Sequence, residues 1–286
     1  MSGYGAWRLG ELRLLVLTMT IVAGCSERDA SFDIAGYRYP YAGLTQWALP
    51  RALREVSGLA LDADGRLFAH ADEVAVVFEL DYRDGRVIKR FALGDPPRPG
   101  DYEGIAWVGA TLYLVTSDGE LLEALEGEDG GHVDFRLHRT GFGRRCEVEG
   151  LDYDARQGSL LLLCKTPREK ALRGMIALLA WSPARRGAVP EHDVLATWPP
   201  GGSADAALNP SALTRSGATG NYVVAAARQY ALLEISAAGT VVDAITLARD
   251  QHPQMEGIAM TDDGDLIVAD EGKNKRGRLS VYAAAR

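Results

Sequence analysis

Short apolar runs separated by Gly- and Asp-rich turns recur along most of the chain. Leu112-Tyr-Leu-Val115, Leu160-Leu-Leu-Leu163, Tyr222-Val-Val224 and Leu266-Ile-Val268 have the length of buried strands, not of helices. Other runs alternate apolar and polar residues, as in Arg86-Val-Ile-Lys-Arg-Phe-Ala-Leu93 and Thr240-Val-Val-Asp-Ala-Ile-Thr-Leu247. Alternation of this kind predicts strands with one face on a core and one towards solvent. Asp62-Ala-Asp-Gly65 and Asp262-Asp-Gly264 supply turns of the hairpin type. The pattern predicts an all-β chain.

The runs are ordered in a repeat. Five segments open alike: Glu55-Val-Ser-Gly58, Tyr102-Glu103-Gly104, Val148-Glu149-Gly150, Pro210-Ser211-Ala212 and Met255-Glu256-Gly257. The small residue returns at intervals of 46, 46, 62 and 45 residues, the long interval marking an insertion. Each opening strand leads to three more strands, and four strands in about 45 residues is the signature of a propeller blade. A four-stranded unit cannot bury both of its faces alone; stacking around an axis does so, and closing the ring protects the edges. The last repeat supplies three strands before the chain ends, and Leu44-Thr-Gln-Trp-Ala-Leu49 resembles the fourth strands. A five-bladed propeller over residues 44–286, closed by this N-terminal strand, is therefore expected. A sixth blade hidden near Pro167 to Val189 is the alternative.

The opening strands would line the central channel. Glu103, Glu149 and Glu256 would then converge on one axis, with Glu55 displaced by two positions. Confined like charges must protonate, pair or bind a cation. Calcium takes six to eight oxygen ligands, and these three carboxylates with backbone carbonyls match that demand. A second tier follows about 15 residues on: His70, Asp72, Asp118, Lys165, Arg228, Asp270 and Glu271. Adjacent strands are antiparallel, so these return to the same mouth and are candidates to hold a small polar or anionic ligand. The competing reading is that the glutamates brace neighbouring blades by accepting backbone N–H bonds. The other histidines, His132, His138, His192 and His252, read as loop or strand-surface residues without ligand spacing. No zinc motif and no GxSxG nucleophile elbow occur.

Composition adds bounds. The chain has 286 residues and a net charge of −8, with no Lys/Arg run, so nucleic acid is not an expected partner. Arg8 and Arg13 precede an apolar run from Leu14 to Ala23, which suits a secretory signal and is too short to span a bilayer comfortably. It ends in Val22-Ala23-Gly24-Cys25, which resembles the lipobox of bacterial lipoproteins. That resemblance implies cleavage before Cys25, acylation (palmitate among the chains) and a membrane anchor. An ordinary cleavable signal with a chance cysteine is the other reading. Ser26, in place of an Asp, points to the outer membrane by the same resemblance. Residues 1–24 are then a signal peptide, 25–43 a tether, and the protein an envelope protein facing the periplasm. Cys146 and Cys164 flank one hairpin and are either a disulfide or two buried thiols.

Val56-Ser-Gly-Leu, Cys146-Glu-Val-Glu-Gly-Leu-Asp-Tyr and above all Gln254-Met-Glu-Gly-Ile-Ala-Met-Thr-Asp-Asp-Gly-Asp-Leu-Ile-Val-Ala-Asp-Glu resemble the SdiA-regulated family. These are bacterial envelope propellers related to NHL repeats. The resemblance covers about Leu44 to Tyr282. It implies five blades and makes Glu103, Glu149 and Glu256 candidates for a calcium site, and it implies no reaction. Ser211 departs from the acidic pattern of the openings. Two functions are expected to compete, with a purely structural lipoprotein scaffold as a third option. One is a calcium-binding module that holds a small molecule or an envelope protein at the channel mouth. The other is a calcium-dependent hydrolase, lactonase- or phosphoesterase-like, with Asp118 or His70 as its base.

Overall fold

The computed structural model describes residues 30–198 and 208–285. The lipobox, Cys25 and the signal segment lie outside the described residues. Five sheets, antiparallel apart from the short parallel pairing of His132–Val133 with Arg86–Leu93, form five blades. Blade I runs Val56–Leu61, Leu67–Ala71, Val76–Asp81 and Arg86–Leu93; blade II runs Tyr102–Val108, Thr111–Thr116, Glu120–Leu125 and Phe135–Arg139. Blade III comprises Cys146–Asp154, Ser159–Pro167, Met175–Ser182 and Val194–Thr197, with the short Gly187–Ala188 beside it. Blade IV comprises Pro210–Arg215, Tyr222–Ala226, Ala231–Ile235 and Val241–Thr246. Blade V has Met255–Met260, Leu266–Asp270 and Arg278–Tyr282, and its fourth strand is Leu44–Ala48 from the other end of the chain. Leu44 pairs with Tyr282 and Ala48 with Arg278, so the ring closes as expected. The long third interval is a longer blade III, not a sixth blade.

Each core cluster lies between two neighbouring blades, because alternate residues of a strand point to opposite faces. Leu160 and Leu162 pack with Tyr113 and Val115 of blade II. Leu161 and Leu163, one position away, pack with Leu213 and Val224 of blade IV. Phe68 and Phe91 meet Trp107 and Leu114 between blades I and II. Leu67 and Phe78 meet Ile267 and Leu279 between blades I and V.

The recurring small residue explains the axis. A Cβ on Gly104 would sit 2.6 Å from the Leu151 backbone nitrogen, and one on Gly257 would sit 3.2 Å from the Gly58 carbonyl carbon. The inner strands approach backbone to backbone, which only small residues allow. Below this ring, on the axis between Leu59, Ile105, Leu151, Leu213 and Ile258, a cavity of about 10 Å³ remains. That is room for a single water at most, so the channel is plugged.

Part of the segment 25–43 expected as a tether is folded onto the propeller. Ser31–Ile34 and Tyr37–Pro40 form a hairpin packed on the seam of blades IV and V. Its Phe32, Ile34 and Tyr39 are buried, and the Phe32 ring stands 5.1 Å from that of Tyr282. Ala35 and Gly36 turn it with positive φ of 57° and 85°, the demand of a two-residue hairpin loop. The Ala35 N–H donates to Glu234 Oε2 at 2.9 Å, and Ser216 Oγ donates to the Ala35 carbonyl at 2.8 Å. Alternation in Ser31-Phe-Asp-Ile34 was the signal for this strand.

Candidate functional site

Every inner strand carries a bulge at the same place. The pairing register shifts between Val56 and Gly58, Tyr102 and Gly104, Val148 and Gly150, Pro210 and Ala212, and Met255 and Gly257. A bulge leaves one residue unpaired and re-aims its side chain. The residues so placed are Ser57, Glu103, Glu149, Ser211 and Glu256. The ring is therefore three glutamates and two serines, with Ser57 and not Glu55 as the blade I member. Counting one position back from the small residue finds all five in the sequence.

Ser57, Glu103, Glu149 and Glu256 line a mouth of about 160 Å³ together with Lys165 and Gln254. Ser57 Oγ donates to Glu103 Oε2 at 2.8 Å. Lys165 Nζ donates to Glu149 Oε1. Glu149 Oε2 is buried and has no hydrogen-bond partner among the described residues. Ser211 is drawn aside, its Oγ accepting from the Ala227 N–H at 3.2 Å. Glu55, Asp72 and Glu271 stand around the same mouth. Glu55 pairs with Arg54 at 2.9 Å, Gln254 donates to Glu271, and Asp72 Oδ1 is buried with no partner among the described residues.

The electrostatics follow from this crowding. Burial pushes Glu103 well above the usual carboxylate range, the Glu149 charge adds to it, and the Ser57 bond opposes it. Burial also raises Glu149, against the Lys165 hydrogen bond and charge. Burial pushes Glu256 up to about 7, opposed by Gln254 and Lys165. Burial pulls Lys165 down, but the Glu149 bond and the charges of Glu149, Glu256 and Glu103 outweigh it and raise it overall. One ammonium thus serves three carboxylates.

Other expected site residues lie elsewhere. His70 is fully buried and packs behind Gly58, its Nδ1 3.0 Å from the Ala71 carbonyl, and burial lowers it to about 4. Asp118 lines a separate groove beside the mouth and is paired with Arg168 at 3.3 Å. Arg228 is exposed in a short turn after blade IV's second strand, and it does not line the mouth. Asp270 is 1% exposed and closed to ligands: it bonds His252 Nδ1 at 2.8 Å and the Gln254 N–H at 3.0 Å. His252 is correspondingly not a surface residue but 0% exposed, with Nε2 2.7 Å from the Tyr282 hydroxyl. Cys146 and Cys164 are buried free thiols.

The mouth's donors are hard oxygens, the chemistry calcium prefers. Their spacing is a different matter. Among the described residues no three His, Cys, Asp or Glu side chains stand close enough to hold one metal ion. Lys165 supplies the positive charge, and a metal would have to take its place.

No protein-family model matches the chain, and no curated protein matches its sequence. Solved structures do match in shape. A glutaminyl cyclase from Myxococcus xanthus superposes with a TM-score of 0.56 at 17% identity, covering 85% of this chain and 96% of that one. A PQQ-bound aldose sugar dehydrogenase from Streptomyces coelicolor gives 0.54 at 15% identity over 85% and 99% of the two chains. A luciferin-regenerating enzyme gives 0.53 at 8% identity over 84% and 95%. The chain is a β-propeller. Three different activities on one architecture carry the fold and no activity to this chain.

Proposed function

We propose that this propeller is a non-catalytic binding module of the bacterial envelope, anchored through Cys25 and akin to the SdiA-regulated family. Its carboxylate mouth takes a cation, calcium being the candidate. One observation carries the reading. Glutamates from three blades turn to one mouth, no backbone N–H of the described residues occupies them, and one oxygen of Glu149 is left without a partner. To hold the ion, Glu103, Glu149 and Glu256 would have to draw closer together than they stand here and release Lys165, with Ser57 beside them. The ion would supply charge neutralisation and tie three blades together at the axis.

Calcium calorimetry tests this. Heat of binding is expected in the wild type. It should be lost in Glu149→Gln and strengthened about tenfold in Lys165→Met, which removes the competing ammonium. No heat at millimolar calcium in either the wild type or Lys165→Met would end the metal reading. For the anchor, the expressed protein should show the mass of a triacylated chain beginning at Cys25. A Cys25→Ala form that still partitions into membranes would refute it.

A second reading is favoured by the raised carboxylates. A group such as Glu256, poised at about 7, suits proton transfer near neutral pH. Turnover of lactones or phosphate esters that disappears in Glu149→Gln would make the protein a hydrolase. Calcium binding without turnover keeps it a module.

A further inference from the structure

Beside the acidic mouth, between blades II and III, lies a groove of about 600 Å³. That is the size of a site for a small organic molecule. Four guanidinium groups surround it, those of Arg98, Arg139, Arg144 and Arg168, in a chain whose net charge is −8. Three carboxylates, Asp101, Asp118 and Glu120, are set against them.

The pairings leave a surplus. Glu120 serves two arginines: Oε2 accepts from Arg98 Nη2 at 2.9 Å, and Oε1 stands 3.4 Å from Arg139 Nε. Asp118 takes Arg168 at 3.3 Å. Arg144 is exposed and has no carboxylate partner among the described residues. Arg98 Nε is buried with no acceptor among them. The groove therefore offers one unmatched positive charge and one orphaned donor. It also offers hydroxyl-binding groups. The Asp118 side chain is 75% exposed, and Asp101 accepts from Ser117 Oγ at 2.6 Å.

Planar guanidinium groups recognise carboxylate and phosphate, and carboxylates accept hydroxyl protons. We infer that this groove binds a hydroxylated small molecule carrying a single oxyanion, a sugar acid or a sugar phosphate. Arg144 takes the oxyanion, and Asp118 and Asp101 take hydroxyls. The site is independent of the metal reading of the mouth.

The test is calorimetry of the wild type with gluconate, glucose 6-phosphate, glucose and inorganic phosphate. At least one of the two sugar anions is expected to bind about tenfold or more tightly than glucose or phosphate. Preference for gluconate identifies a carboxylate ligand, and preference for glucose 6-phosphate a phosphoryl one. Arg144→Gln should weaken that binding about tenfold with the melting temperature unchanged, since Arg144 is exposed. Glu149→Gln, in the mouth, should leave it unaltered. The proposal is overturned if neither sugar anion binds, if glucose or phosphate binds as tightly, or if Arg144→Gln binds like the wild type.

Discussion

Glu149 and Asp154 sit on one inner strand, at opposite ends of the blade III channel edge, and both are nearly inaccessible at 3% and 0% exposure. The fold treats them oppositely. Asp154 Oδ1 accepts from the Arg156 N–H at 2.9 Å, and Oδ2 accepts from the Tyr222 hydroxyl of blade IV at 2.6 Å and from Arg156 Nη2 at 3.1 Å. Burial raises Asp154, but the Arg156 and Tyr222 bonds outweigh it and hold the carboxyl below its usual range. Glu149 has Lys165 on one oxygen and no partner among the described residues on the other, and it is raised. Equal burial with opposite satisfaction separates two roles that sequence leaves mixed. A carboxylate with every lone pair engaged braces blades. One kept open carries a desolvation cost that a water or an ion at the open oxygen would relieve.

The largest effect should fall on the bracing member. Asp154→Asn keeps the volume but removes the charge that holds Arg156, and its amide turns a donor towards donors. About 3 kcal/mol of stability should be lost, seen as a melting temperature lower by about 9 °C. A loss near zero would mean that Asp154 is no better anchored than Glu149, and the contrast would dissolve.

Acidity should then split the two ends of the strand. Glu103, Glu149 and Glu256 are raised in the folded state, so the folded protein binds more protons than the unfolded one at intermediate pH. Their favourable contribution is complete below about pH 4.5 and is lost as pH rises through about 7. Asp154 is lowered, and its contribution is lost only as pH falls below the usual aspartate range. The metal-free wild type should therefore lose several degrees of melting temperature between about pH 5 and about pH 8. A variant carrying Gln at 103, 149 and 256 should lose that slope and keep the acid limb. Parallel curves for the two proteins would show that the mouth carboxylates titrate normally.

The fold was legible because it depends on patterns that repeat. The small residue at 58, 104, 150, 212 and 257 reports close backbone approach, and Leu44–Ala48 reads as a missing fourth strand. The convergence of Glu103, Glu149 and Glu256 follows from the same repeat. What escaped depends on local geometry. Acidity made Glu55 look the better candidate in blade I, but the bulged position is the residue just before the small one, which is Ser57. Asp270 reads as a mouth residue, but His252, 18 positions away, bonds its carboxylate, and Tyr282, 30 positions from His252, takes the other ring nitrogen. The arginine groove joins residues from two blades and from the loops between them. No single stretch of sequence carries its signature.

The smallest effect is the most discriminating. Glu149→Gln should change stability by less than about 1 kcal/mol. Gln keeps the shape, needs no counter-charge, and removes the like-charge burden on Glu103. Lys165, whose side chain is 26% exposed, can turn its ammonium to water instead of remaining buried and unpaired. The substitution therefore lifts a desolvation penalty about as large as the attraction it deletes, and the sign should depend on pH. Above pH 7, where the wild type must hold these carboxylates charged, the variant should melt at the same temperature or slightly higher. Near pH 5 the difference should vanish. Thermal melts at the two pH values decide it. A cost at pH 8 as large as that of Asp154→Asn would make Glu149 a brace, and the open oxygen would then have no ligand to explain it.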